Sequence, residues 1–181
     1  NEESVEYVKE QIVDRYFLTK TRRIVAGGEE RYDSVYAGLM ECEGTDYVFV
    51  HDGARPLITR EILERVFDGV KEYGACIAGM PSKDTIKISD EGGCVLSTPP
   101  RDRVWNVQTP QAFSYSVLKN AHDSIREKGM KGITDDAMIV EQETECWVKL
   151  VQGSYENLKI TTPEDLKIAE AILSERDLQK I

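Results

Sequence analysis

The stretch Tyr47-Val48-Phe49-Val50-His51-Asp52-Gly53-Ala54-Arg55-Pro56 decides the fold. A near-continuous apolar run is how a strand buried on both faces reads. It ends in a polar loop, after which Thr59 can cap a helix carrying Ile62, Leu63, Val66, Phe67 and Val70. Strand, polar loop and helix in succession form the repeating unit of an α/β domain. Ligands in such sheets sit at the carboxyl ends of strands, so the loop from His51 to Pro56 is a place to look for chemistry.

The same alternation extends in both directions. Toward the N-terminus, Arg23 to Ala26 reads as a short strand running into Gly27-Gly28-Glu29-Glu30-Arg31, with a helix from about Asp33 as its cap. Before it, Ser4 to Tyr16 reads as an amphipathic helix with Val5, Val8, Ile12 and Val13 on one side. Toward the C-terminus, Ala75 to Gly79 reads as a strand. Thr85 to Ile88 and Cys94 to Ser97 then flank Asp90-Glu91-Gly92-Gly93 as a β-hairpin. The hairpin segment, about 82–104, has few apolar residues, which suits a projecting arm that packs on another subunit. Gln108-Thr109-Pro110-Gln111 reads as a loop, followed by helices from about Ser114 and from Thr134-Asp135-Asp136. Trp147 to Val151 and Asn157 to Thr161 read as strands, and Pro163 opens the last helix. The expectation is one three-layer α/β domain over residues 1–181 with a mainly parallel sheet.

Composition narrows the function. The chain has 181 residues, 40% hydrophobic and 31% charged, as in ordinary globular proteins. A formal net charge of −10 argues against a general nucleic-acid binder, which needs an extended basic surface. A nucleotide site needs only a local cluster of cations. No apolar run is long enough to span a bilayer, and the acidic opening NEESVEYVKE does not read as a secretory signal, so a cytoplasmic protein is expected. The four cysteines form no CxxC pair and there are two histidines, which disfavours a zinc or redox site.

Several stretches can carry chemistry, each beside a plainer alternative. Gly27 and Gly28 allow close approach of backbone to a ligand, and Ser34 lies in the first turn of a helix; on pattern alone an ordinary strand-to-helix turn is the favoured reading. Asp52 can bind a ribose hydroxyl or a metal-bound phosphate and Arg55 can fork onto a phosphate, or the two form a local ion pair. Arg101 and Arg103 with Thr109 suit an anionic group, or a solvated hairpin base. Thr134-Asp135-Asp136 can be a helix cap alone. Lys159 is a phosphate ligand if it faces inward and an edge charge otherwise.

In their order and spacing, GGEERYDSVYAGL (27–39), VFVHDGARPL (48–57), PSKDTIK (81–87), VWNVQTPQAF (104–113), TDDAMIVE (134–141) and ENLKITTPEDLKIA (156–169) resemble successive motifs of the 2-C-methyl-D-erythritol 4-phosphate cytidylyltransferase family. The resemblance implies a Rossmann-like nucleotidyltransferase fold with a projecting β-arm. It implies transfer of CMP from CTP to methylerythritol phosphate in non-mevalonate isoprenoid synthesis, with Mg²⁺ as cofactor and a homodimer joined through the arm. It places Gly28, Glu29 and Ser34 around the cytosine, and Asp52, Gly53 and Arg55 at the ribose and nucleotide loop. Thr85, Thr109 and Thr134 fall near the acceptor, with catalytic roles for Arg101 at its phosphate and Lys159 at the reacting phosphates. Arg103 matches less securely than Arg101, and no metal ligand is assigned.

The family's first strand and glycine-rich loop, with a catalytic arginine and lysine, have no counterpart in the first twenty positions. The triphosphate cradle is therefore expected to be missing from these residues, and they are expected to be inactive alone. Ribitol-5-phosphate cytidylyltransferase shares several motifs and is the nearest alternative. A non-catalytic nucleotide-binding or dimerisation fragment is the alternative from another class.

Overall fold

The computed structural model describes residues 2–178; residues 1 and 179–181 of the expected 1–181 domain lie outside them. Helices and strands alternate: α1 (Glu2–Val8, continued by a π-helical turn over Lys9–Asp14), α2 (Arg31–Met40), β1 (Tyr47–Val50), α3 (Arg60–Tyr73), β2 (Ala75–Pro81), β3 (Ile88–Ser89), β4 (Val95–Ser97), β5 (Trp105–Ser114), α4 (Tyr115–Lys128), α5 (Asp136–Glu143), β6 (Lys149–Gln152) and α6 (Pro163–Leu178). Strands β1-β5-β2-β6, in that order, form one sheet, and β3-β4 form a second. The chain divides into two compact units, Asn1–Val48 with Phe113–Cys146, and Phe49–Ala112 with Trp147–Ile181.

In the first unit, α4 buries Leu118, Ala121 and Ile125 while α5 buries Ala137, Ile139 and Val140. Glu30 caps α2 through a reciprocal box with Asp33, three residues earlier than the cap the sequence suggests. Asp33 thus closes the first turn as its third residue instead of starting it. Arg23 to Ala26 is not a strand. Ile24 and Val25 have the right propensity, but a strand exists only through a ladder partner, and the described residues supply none.

The second unit is built on β2, buried along nearly its whole length and paired in parallel with β6, Cys76 opposite Lys149 and Gly79 opposite Gln152. Helix α3 turns Ile62, Val66 and Val70 inward at every fourth residue. Gly69 lies on that face; a Cβ there would collide with Cys76 Sγ, so the glycine permits close packing of helix on strand. Burial pushes the Cys76 thiol up to about 11. The hairpin forms where expected, shorter than the pattern suggests, and its Ile88, Val95 and Leu96 are exposed.

Two further expectations fail in this unit. Gln108 to Gln111 is not a loop but part of β5, and Gln108, Thr109 and Gln111 are all buried. Their polar groups are satisfied internally, which composition does not reveal. Asn157 to Thr161 is not a strand. The Ile160 amide bonds to the Ala54 carbonyl at 2.8 Å, a backbone contact with the loop after β1 that does not extend into a ladder.

Candidate active site

In the second unit the loop after β1 closes as a turn, with the Arg55 amide 2.9 Å from the Asp52 carbonyl. That turn brings the two side chains together: Arg55 Nε stands 3.6 Å from Asp52 Oδ2, and the side chains are 13% and 17% exposed. Lys159 Nζ reaches the same carboxylate oxygen at 3.1 Å and stays half exposed. Lys159 therefore faces the cluster. Two cations thus flank one carboxylate, a local positive excess on a chain whose formal charge is −10. Burial pushes the Arg55 guanidinium below its usual range, and the Asp52 charge opposes that fall. Gly53 is exposed between them.

Three residues that the sequence reading left without a role hold this cluster. Asn157 is fully buried; its carbonyl accepts from Arg55 Nη1 at 2.8 Å, and its side-chain amide donates to the Thr109 carbonyl at 2.9 Å and to Gln108 Oε1 at 3.3 Å. Gln108 in turn donates to the Ser154 carbonyl at 2.7 Å. His51 Nδ1 lies 3.0 Å from the Thr109 hydroxyl and its Nε2 lies 3.0 Å from the Arg55 carbonyl. Polar residues set in apolar runs were the available signal, since a buried amide must find partners. Arg55 Nε and Asn157 Oδ1 are buried without a hydrogen-bond partner among the described residues.

Thr85 and Arg101 sit beside the hairpin and are exposed. Arg101 opens a 3-10 turn, Arg101–Arg103, and donates to the Lys83 carbonyl at 3.5 Å. Lys83 in turn lies over the Tyr155 ring, 3.6 Å from its centroid.

In the first unit the two-glycine turn folds back on α2. The Gly28 amide donates to Ser34 Oγ at 3.1 Å, and a Cβ on Gly27 would stand 2.6 Å from that oxygen. Glu29 is exposed at the turn. Arg31, the first residue of α2, donates to Asp136 Oδ2 at 2.8 Å, and His122 Nε2 lies 3.3 Å from Asp136 Oδ1. Asp136 and His122 are fully buried. Thr134 is exposed and Asp135 caps α5 by accepting from the Met138 amide at 2.9 Å.

The sequence model of the 2-C-methyl-D-erythritol 4-phosphate cytidylyltransferase family matches residues 4–175. The chain belongs to this family. A cytidylyltransferase of that name from Lachnoclostridium phytofermentans is 51% identical over 173 residues, covering 96% of this chain and 74% of the relative. One from Alkaliphilus oremlandii is 50% identical, covering 95% and 72%. The solved 4-diphosphocytidyl-2C-methyl-D-erythritol synthase of Anaerococcus prevotii superposes with a TM-score of 0.82 at 34% identity, covering 92% of this chain and 75% of that one. The Thermus thermophilus cytidylyltransferase gives 0.71 at 38% identity, covering 82% and 71%. The α/β architecture read from the sequence is thus the fold of a methylerythritol-phosphate cytidylyltransferase. No helix of this family member is long and apolar enough to cross a membrane among the described residues.

Proposed function

We propose that the protein transfers CMP from CTP to 2-C-methyl-D-erythritol 4-phosphate, releasing pyrophosphate, as a cytoplasmic step of non-mevalonate isoprenoid synthesis. The observation that carries the reading is the Asp52, Arg55 and Lys159 cluster on loops at the edge of an α/β sheet. An oxygen of the acceptor phosphate attacks the α-phosphorus of CTP; that P–O bond forms as the bond to the departing pyrophosphate breaks. Both reactants are anions, so the protein must supply alignment and positive charge rather than a covalent nucleophile. Lys159, on a long half-exposed side chain, leaves Asp52 for the reacting phosphates, and Arg55 stays anchored on the Asn157 carbonyl facing the nucleotide.

Gly28, Glu29 and Ser34 serve the cytosine, and Asp52 and Gly53 the ribose. Arg101 takes the acceptor phosphate, and Thr85, Thr109 and Thr134 are assigned to the acceptor. Among the described residues no group of three His, Cys, Asp or Glu side chains could hold a metal ion. Mg²⁺ bound with CTP would take most of its ligands from phosphates and water and need one or two carboxylates. Asp52 would be its protein ligand, and the ion would neutralise phosphate charge. The exposed Ile88, Val95 and Leu96 suit the hairpin to pairing with a second copy as a homodimer arm.

The test is pyrophosphate release from CTP and Mg²⁺ with methylerythritol phosphate or ribitol 5-phosphate as acceptor, using the full-length protein and its Lys159→Ala variant. Turnover with methylerythritol phosphate that the variant loses supports the reading. Preference for ribitol phosphate moves the protein to the other substrate, and CTP binding without turnover makes it a binding module.

A further inference from the structure

In the second unit, a short turn after β6 is fastened on two sides. The Asn157 amide closes it on the Ser154 carbonyl at 3.1 Å. On one side Ser154 and Asn157 meet Gln108, and Asn157 holds Arg55, which ties the turn to the Asp52 cluster. On the other side stands Tyr155. Its hydroxyl donates to the Pro81 carbonyl at 2.9 Å, and the Lys83 ammonium lies over its ring, 3.6 Å from the centroid. Pro81 ends β2, and the Lys83 carbonyl accepts from Arg101 Nη1 at 3.5 Å. Between them, the Ser82 amide donates to the Val104 carbonyl at 2.8 Å, and the Val104 amide donates to the Arg101 carbonyl at 3.2 Å. One aromatic side chain thus grips both residues flanking Ser82, where the two legs of the arm, 81–83 and 101–104, meet. Tyr155 is 47% exposed, so burial gives its ring little; the hydroxyl bond and the cation over its face are what direct it.

We infer that Tyr155 is a positioning residue for the acceptor: it fastens the base of the arm and so sets where Arg101 stands. It acts through Pro81 and Lys83 and does not touch the polyol phosphate. Asn157, two residues on, holds the nucleotide side, so one turn serves both substrates through separate side chains. The kinetic part of this inference rests on the proposed function; the fastening of the arm does not.

The experiment follows amide hydrogen exchange and initial rates in the full-length protein and its variants. Tyr155→Ala removes ring and hydroxyl; Tyr155→Phe removes the hydroxyl alone. In Tyr155→Ala the Ser82 and Val104 amides are expected to exchange faster, while the buried Cys76 and Ile77 of β2 keep the wild-type rate. KM for methylerythritol phosphate should rise roughly three- to tenfold, as loss of one hydrogen bond and an exposed cation–π contact does, and by less in Tyr155→Phe. KM for CTP should not move. In an Arg101→Ala background, Tyr155→Ala should add nothing further, since the two act as one unit. Lys83→Met keeps the carbonyl that holds Arg101 and should cost no more than Tyr155→Ala. Unchanged exchange at Ser82 and Val104, an equal rise in KM for CTP, additive losses with Arg101→Ala, or a Lys83→Met loss as large as that of Arg101→Ala would each overturn the inference. If Tyr155→Ala does not fold, Tyr155→Phe decides by the same readouts. A wild type without turnover counts against cytidylyl transfer alone, and the exchange rates still decide the fastening.

Discussion

Two carboxylates, one in each unit, meet cations in opposite ways. Asp136 is fully buried, bonded on one oxygen to Arg31 and facing His122 with the other. Asp52 keeps 17% of its side chain exposed and shares one oxygen between Lys159 and Arg55. In the first arrangement Arg31 is 35% exposed but Asp136 is fully buried, so separating them leaves the Asp136 charge in the interior. In the second, each cation has somewhere else to go, Lys159 into solvent and Arg55 onto the Asn157 carbonyl. A site that must let go of one anion to take another needs the second kind, and a framework needs the first. Similar residue pairs therefore serve different ends, and burial separates them.

The largest expected effect tests the buried pair. Asp136→Ala removes the fully buried carboxylate that faces both Arg31 and His122; Arg31 is 35% exposed and can turn to solvent, so the loss is expected at the low end of the about 3–5 kcal/mol of a fully buried ion pair. Urea unfolding should show that loss, and Asp52→Ala should lose distinctly less. Equal losses would erase the contrast between the two regions.

Next in size is the chemistry of the exchangeable pair. Lys159→Ala removes a charge proposed to act on the reacting phosphates, and such groups are worth roughly 10²–10³ in kcat. Its half-exposed position predicts almost no change in unfolding free energy, since exposed ion pairs contribute about 0–1 kcal/mol. Single-turnover rates and melts on the same sample check both halves. A variant that unfolds easily but retains its rate would reverse the assignment.

The two regions also differed in how plainly they could be read. The three-to-four spacing in α3 announces itself because burial there follows a local period; the apolar run of β1 marked a strand but overstated its burial, since β1 is an edge strand with Val48 buried and Phe49 exposed. The Asp52–Arg55 turn was legible because both residues lie in one short loop. What closes the site was not: Arg55 and Asn157 are 102 residues apart in sequence, and nothing local joins them. Gln108 to Gln111 misled because Gln and Thr look like loop residues when their partners are unseen. Arg23 to Ala26 misled in the other direction, since strand propensity counts only where a neighbour completes the ladder. In the first unit, Arg31, His122 and Asp136 gave no sign of meeting, for the same long-range reason.

A smaller effect separates the two substrates. Arg101 is exposed beside the hairpin and bonds weakly to the Lys83 carbonyl. Assigned to the acceptor phosphate, Arg101→Ala should raise KM for methylerythritol phosphate roughly ten- to hundredfold, the worth of a charge-assisted hydrogen bond. Asp52→Ala should show the opposite bias, raising KM for CTP. Initial rates with each substrate varied in turn read both. A rise in KM for CTP alone in Arg101→Ala would move that arginine to the nucleotide.

The smallest effect concerns how the Lys159 segment is fastened. Immediately after it, Asp165 Oδ2 accepts from the Thr161 and Thr162 amides, each at 2.8 Å, at the start of α6. Those two backbone donors, the Thr161 amide first, hold the Asp165 carboxyl below its ordinary value. A depressed folded-state value means that the unfolded chain binds the proton more readily, so the contribution is complete above the unfolded value of about 3.9. It fades as pH falls through the lower folded value. Asp165→Asn cannot gain or lose that charge. Wild type and variant should therefore differ in melting temperature at neutral pH, and the difference should shrink as acid is added below the ordinary carboxylate range. The Arg31–Asp136 side of the molecule is untouched by this substitution, so the acid-dependent difference reports on the α6 fastening alone. Parallel pH profiles for the two proteins would mean that the two amides, although within bonding distance, do not stabilise the charged carboxylate.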